Sequence, residues 1–122
     1  MQRFMLKSKI HRAVLTGTEL NYEGSITVDL DLLEEADMLP GEQVHVLNLN
    51  TGARFVTYTI AAPRGSGTVL LNGPAARLGE AGDEVLILSY CEVEEDDAQR
   101  LEPKVVSVSR GNRPRTGAGR AG

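Results

Sequence analysis

The sequence predicts a small, mainly β domain whose short strands close into a barrel, with two short helices and an irregular C-terminal tail. Three observations predict it. Alternating or β-branched apolar runs recur along the chain, each bounded by turn residues. The segment Leu39-Pro40-Gly41-Glu42-Gln43-Val44-His45-Val46 is echoed by Glu80-Ala81-Gly82-Asp83-Glu84-Val85-Leu86-Ile87, each a Gly-acid turn that feeds a strand. Two such halves imply a closed barrel of pseudo-two-fold character, which removes exposed strand edges. Finally, Trp is absent and aromatics make up only 4% of a chain that is 41% hydrophobic, so the core must come from Val, Leu, Ile and Ala.

In order, the runs predict strands over residues 3–16, 25–29, 43–48, 53–61, 68–71, 84–92 and 104–109. Asn50-Thr51-Gly52 and Pro63-Arg64-Gly65-Ser66-Gly67 read as turns in which glycine supplies positive φ. A helix is expected over 30–36, capped by Asp29 or Asp31, with Leu32, Leu33 and Ala36 facing inward. A second is expected over 94–101. From residue 110 onward Gly, Arg and Pro prevail without periodicity, which reads as a disordered tail over 110–122.

At 122 residues the chain has room for one domain, and so short a chain gains from subunit contacts. The net charge is −4, but its distribution says more. Arg3, Lys7, Lys9 and Arg12 lie in a stretch without acids, residues 29–42 hold six acids and no base, and 92–97 hold five more acids. Such blocks read as solvated faces or complementary subunit surfaces. The single cysteine, Cys91, has no partner for an internal disulfide and fits a reducing cytoplasm, where it reads as a buried structural thiol. No apolar run is long enough to span a membrane as a helix, and no signal-peptide core is evident, so a soluble cytoplasmic protein is expected. His11, His45 and Cys91 have no zinc-like spacing, Arg64-Gly65-Ser66-Gly67 lacks the lysine of a phosphate loop, and no nucleophile elbow is present.

The informative local feature is Tyr22-Glu23-Gly24-Ser25. A Gly-Ser pair at a strand edge is ordinarily a turn, but here the serine opens the alternating run Ile26-Thr27-Val28-Asp29. Glycine permits backbone angles that other residues resist, and strain at a peptide bond is a reservoir for chemistry. A serine hydroxyl that attacks the preceding carbonyl forms an ester. β-Elimination then breaks the backbone, and hydrolysis leaves a pyruvoyl group where the serine stood.

The segments Met5-Leu6-Lys7-Ser8-Lys9-Ile10-His11-Arg12, Tyr22-Glu23-Gly24-Ser25, Asn50-Thr51-Gly52-Ala53-Arg54-Phe55-Val56-Thr57-Tyr58, Arg64-Gly65-Ser66-Gly67, Asn72-Gly73-Pro74-Ala75-Ala76 and Gly82-Asp83-Glu84-Val85-Leu86-Ile87 carry a resemblance. In that order and spacing, over residues 1–109, the chain resembles the bacterial aspartate 1-decarboxylases, pyruvoyl enzymes that make β-alanine for pantothenate and coenzyme A synthesis. The resemblance sharpens the barrel to a six-stranded double-psi β-barrel over 1–109, cut into 1–24 and 25–122. It implies a pyruvoyl group derived from Ser25 as the electron sink, which condenses with the amine of L-aspartate, so that neither pyridoxal phosphate nor metal is needed.

For the remaining residues the family supplies roles that the bare sequence leaves open. Arg54 reads equally as a solvent-side strand residue; the resemblance places it at the substrate carboxylate, which its planar fork matches, with Lys9 as a second cation. Tyr58, otherwise a half-buried strand tyrosine, resembles the proton donor, and a phenol is protonated at neutral pH. Strand alternation groups Arg54, Val56 and Tyr58 against Phe55 and Thr57 unless a bulge intervenes. Thr57 is implied in both self-processing and substrate contact, its hydroxyl available to the Gly24 carbonyl. By resemblance Asn72, His11 and Tyr22 flank the processing site, and Gly73, Pro74 and Ala75 line the substrate pocket with backbone groups. Pro74 stands where many relatives carry alanine and offers no N–H there. Leu47 and Leu49 predict an aliphatic wall suited to a four-carbon diacid.

The family further implies a homotetramer with active sites between subunits, and maturation that is spontaneous in some members and assisted by a partner in others. The alternative is a non-enzymatic β-barrel that binds nucleic acid or a protein through its basic N-terminal strand.

Overall fold

A computed structural model describes residues 1–115. Its strands are β1 (Gln2–Val14), β2 (Gly17–Glu19), β3 (Ser25–Asp29), β4 (Gln43–Asn48), β5 (Arg54–Ala62), β6 (Val69–Asn72), β7 (Glu84–Glu94), β8 (Lys104–Ser109) and β9 (Arg113–Pro114). Helix α1 (Leu30–Glu35) follows β3, a 3₁₀ helix (Gly73–Leu78) follows β6, and α2 (Glu95–Ala98) follows β7. The predominance of strand follows from the β-branched runs, whose alternate residues Val44 and Val46, and Val85 and Ile87, are fully buried. Leu32, Leu33 and Ala36 face the same core, as the helical spacing predicts.

The strands form one sheet in the order β2-β6-β3-β5-β4-β7-β1-β8-β9. Among the described residues β2 and β9 do not pair, so the sheet is open and nine-stranded, where a closed six-stranded barrel is expected. Its middle six strands nonetheless read the same from both ends. β3 pairs with β5 in parallel and β8 with β1 in parallel, while the pairs between them are antiparallel. At the centre Val46 faces Ile87. These are equivalent positions of the sequence repeat, so a pseudo-two-fold axis passes through that pair. The two repeat turns match as well, with Gly41 at φ 87° and Gly82 at φ 96°, the left-handed region that glycine enters without strain.

Three elements depart from expectation. Residues 110–115, assigned to the tail by composition, instead form a turn and β9. There the buried Asn112 accepts from the Val14 N–H at 2.8 Å and donates to the carbonyls of Val14 and Gly67 at 2.7 and 2.9 Å. The rest of the expected tail, 116–122, lies outside the described residues. Cys91 is half-buried, not buried, because the β4 ladder ends at Leu88 and the remainder of β7 pairs with β1 alone. The second helix spans only Glu95–Ala98 of the expected 94–101; after Asn72 a 3₁₀ helix forms, and Pro74 occupies its first turn, where a missing N–H costs nothing.

The basic block of β1 is largely paired within the chain. Arg3 meets Glu95 at 3.2 Å, Lys7 meets Glu42 at 2.8 Å and Arg12 meets Glu84 at 2.6 Å. Glu42 also accepts from Ser89 and from the Leu39 N–H. Burial raises the Glu42 pKa, but these donors outweigh it and hold the carboxyl below its ordinary value.

Asp29 ties the 63–67 turn to the sheet. The buried carboxylate caps α1 through the Asp31 N–H at 2.8 Å and accepts from the Gly65 and Gly67 N–H groups at 3.0 and 2.8 Å. Burial pushes its pKa up, but the N–H groups of Gly67, Asp31 and Gly65 and the charge of Arg113 hold it below the ordinary value. Asp29→Ala strips a cap and orphans two further N–H groups, so urea denaturation should register a loss of about 3 kcal/mol. Because the folded pKa is depressed, this contribution is complete above about pH 4 and is lost as pH falls through the folded value. Asp29→Asn should therefore flatten the acid limb of the stability profile.

Candidate active site

Strand β3 begins at Ser25, which pairs with Asn72 of β6, while Ile26 pairs in parallel with Thr59 of β5. Carried back two residues, that parallel register sets Gly24 beside Thr57. The Gly24–Ser25 peptide therefore lies where the chain enters the sheet between two strands. Ser25 is fully buried; its Oγ donates to the Glu23 carbonyl at 3.1 Å and accepts from Asn72 Nδ2 at 2.9 Å. Asn72 Nδ2 also donates to Thr27 Oγ1 at 2.8 Å, which fixes the amide between two hydroxyls.

Thr57 Oγ1 donates to the Gly24 carbonyl at 3.3 Å. β5 is regular against β4, so no bulge turns Thr57 toward Gly24; it reaches the carbonyl because the neighbouring strand starts beside it. Gly24 itself does not adopt positive φ. The left-handed glycine is Gly73, at φ 60°, on the opposite side of the same segment. A Cβ on Gly73 would fall 2.7 Å from the Gly24 nitrogen and closer still to the Tyr22 carbonyl, so only glycine lets the 22–24 backbone pass. The ring of Pro74 lies next to Gly24, its Cδ 3.3 Å from where a Gly24 Cβ would stand.

Tyr58 completes this cluster. Its hydroxyl donates to Glu23 Oε1 at 3.1 Å, and that bond, followed by burial and the Glu23 charge, raises the phenol pKa, with a smaller opposing effect from Ser25. Ala75 is buried in the 3₁₀ helix, whereas the Tyr22 side chain is exposed.

Arg54, Lys9 and His11 are not hydrogen-bonded to this cluster among the described residues. Arg54 projects from the start of β5 into a cleft of about 470 Å³ with Phe4, Gln43, His45 and Tyr90. Its Nη2 donates to His45 Nδ1 at 3.2 Å and to Tyr90 Oη at 3.3 Å. Lys9 and His11 lie on β1, where Lys9 pairs with Leu88 and Val105 and forms no ion pair among the described residues. His11 Nδ1 is buried without a partner, and burial, then the charges of Lys9 and Arg12, lower its pKa against the opposing pull of Glu84. Leu47 stands opposite Arg54 in the ladder, whereas Leu49 lies in the turn beyond β4 and is exposed.

The aspartate decarboxylase family model matches residues 1–115. This chain belongs to the aspartate decarboxylase family. It is 55% identical over 114 residues to the aspartate 1-decarboxylase of Thermoanaerobacter pseudethanolicus, covering 93% of this chain and 97% of that one. It is 59% identical over 110 residues to the aspartate 1-decarboxylase of Leptospira biflexa, covering 89% and 93%, and 53% identical over 115 residues to that of Chloroherpeton thalassium, covering 94% and 85%. Against that family background, three residues of the site are ones sequence reasoning passed over: Glu23 on the Tyr58 phenol, and His45 and Tyr90 on Arg54. Counting the β4–β5 hairpin outward from the turn at 50–52 sets His45 opposite Val56, two positions beyond Arg54 on the same face, so its signal was within reach. Tyr90 carries no such local signal, since it comes from β7.

Proposed function

We propose that this chain cuts itself between Gly24 and Ser25 and then decarboxylates L-aspartate to β-alanine and carbon dioxide, in the route to pantothenate and coenzyme A. The observation that carries the reading is the Thr57 hydroxyl aimed at the Gly24 carbonyl, beside a buried Ser25 held by Asn72. When Ser25 Oγ attacks that carbonyl, negative charge develops on the Gly24 oxygen, and a donor placed there stabilises it. The close fit of Gly73 against the 22–24 backbone holds the peptide in place for the attack.

The residues around position 25 suit a pyruvoyl group, because Asn72 and Thr57 already present donors to the atoms that would flank it. Such a group supplies a carbonyl that takes up the substrate amine and accepts the electron pair freed as carbon dioxide leaves. Arg54 and Lys9 are the cations for the substrate carboxylates, and backbone groups of Gly73 and Ala75 shape the pocket. Tyr58, whose phenol is protonated at neutral pH, returns a proton to the substrate α-carbon. Neither pyridoxal phosphate nor a metal is required.

The six middle strands correspond to a double-psi β-barrel, a reading supported by their two-fold order. Arg54, Val56 and the exposed Phe4 lie on a face suited to another copy of the chain, in keeping with a homotetramer whose sites are completed between subunits. No helix of the described residues is long and apolar enough to cross a membrane. The single cysteine fits a reducing cytoplasm, where we place the enzyme. The pairing of Arg3, Lys7 and Arg12 with acids of the same chain disfavours nucleic-acid binding through β1.

An intact mass spectrum of the denatured protein tests the reading. Two fragments that break at Gly24–Ser25, the larger lighter by one ammonia than a serine-started chain, support it. A full-length mass that persists after warm incubation with cell extract overturns it. Thr57→Val should slow cleavage by about 10²–10³, the cost of one oxyanion donor, read as the uncut fraction over time.

A further inference from the structure

Arg54 is an exposed residue on a long, flexible stem, yet it is held in one place by two neighbours from two other strands. The guanidinium has only donors, so the His45 Nδ1 it contacts must present a lone pair, with the ring proton on Nε2. His45 is steadied in turn by Tyr90, whose ring meets it edge-on with centroids 4.9 Å apart at 63°. Both contacts fall on Nη2, and among the described residues Nη1 and Nε of the fork form no hydrogen bond. An arginine already ordered loses less rotamer freedom when it docks a carboxylate.

We propose that His45 and Tyr90 are positioning residues for Arg54, and that neutral His45 keeps the guanidinium set to receive a substrate carboxylate. The proposal rests on the reading of Arg54 as the carboxylate anchor.

The test is steady-state decarboxylation of aspartate by the cleaved protein at neutral pH, with the cut fraction of every variant measured by mass. His45→Ala should raise KM about tenfold at neutral pH, the scale of one hydrogen bond to a charged group, with kcat per cut site and cleavage unchanged. His45→Gln keeps an acceptor for the guanidinium, so it should restore the wild-type KM. Tyr90→Phe should raise KM severalfold. A wild-type KM in His45→Ala overturns the proposal, as does a loss confined to kcat or to the cut fraction, which marks a structural role. Arg54→Ala separates the two levels of argument. If it raises KM while His45→Ala does not, positioning fails and the anchor stands; if Arg54→Ala leaves KM unchanged, both fail.

Discussion

Ser25→Ala should give a folded chain of a single, full-length mass with no measurable β-alanine production. In the proposed mechanism the hydroxyl is the nucleophile for cutting and the source of the electrophile for turnover, so one substitution removes both. The fold should survive because the change is small and the site is cushioned. Asn72 Nδ2, which gives one bond to Ser25 Oγ, keeps its bond to Thr27. The backbone pairing of Ser25 with Asn72 does not depend on the side chain. A loss of about 1 kcal/mol is expected, one hydrogen bond's worth, and circular dichroism and urea denaturation would register it. Retained decarboxylation by an uncut Ser25→Ala chain would end the pyruvoyl mechanism for this protein. A chain that fails to fold would instead mark Ser25 as a packing residue, and Ser25→Cys, which keeps the volume and a nucleophile, would then carry the test.

How far the site was legible follows from which forces place each part. β3 could be bounded from residue 25 because its alternation starts there, and α1 because Asp29 precedes Leu32, Leu33 and Ala36 at helical spacing. The proximity of Asn72 to Ser25 spans 47 positions and is set by the β3–β6 register, which no local pattern encodes; it was anticipated through family resemblance alone. The left-handed glycine of the site is Gly73, not Gly24. Composition could mark Gly24 as permissive, but only the crossing of two backbone segments makes Gly73 the residue that must be left-handed. The tail was misjudged from residue 110 for a related reason, since Asn112 is fixed by partners on Val14 and Gly67 that lie far away in sequence. Closure of the barrel was inferred from a repeat that does exist, yet a repeat sets the order of strands and leaves their end-to-end pairing undetermined.

Tyr58→Phe should separate cutting from turnover. The donor to the Gly24 carbonyl is Thr57, and the Tyr58 hydroxyl is engaged by the Glu23 side chain, so removal of the phenol leaves the cleavage machinery in place. Mass spectrometry should find two fragments, as in the wild type. Turnover is different, because the α-carbon left by carbon dioxide needs a proton from a group fixed beside it. Loss of a general acid of this kind costs about 10²–10⁴ in kcat. The Glu23 contact, then burial, raises the phenol pKa, so Tyr58 stays protonated throughout the neutral range and its ionisation should not limit the wild type below about pH 10. A normal kcat in Tyr58→Phe would move the proton donor elsewhere. A failure to cut would mean that Tyr58, and not Thr57 alone, governs the Gly24 carbonyl, and the division of labour between the two faces of β5 would have to be redrawn.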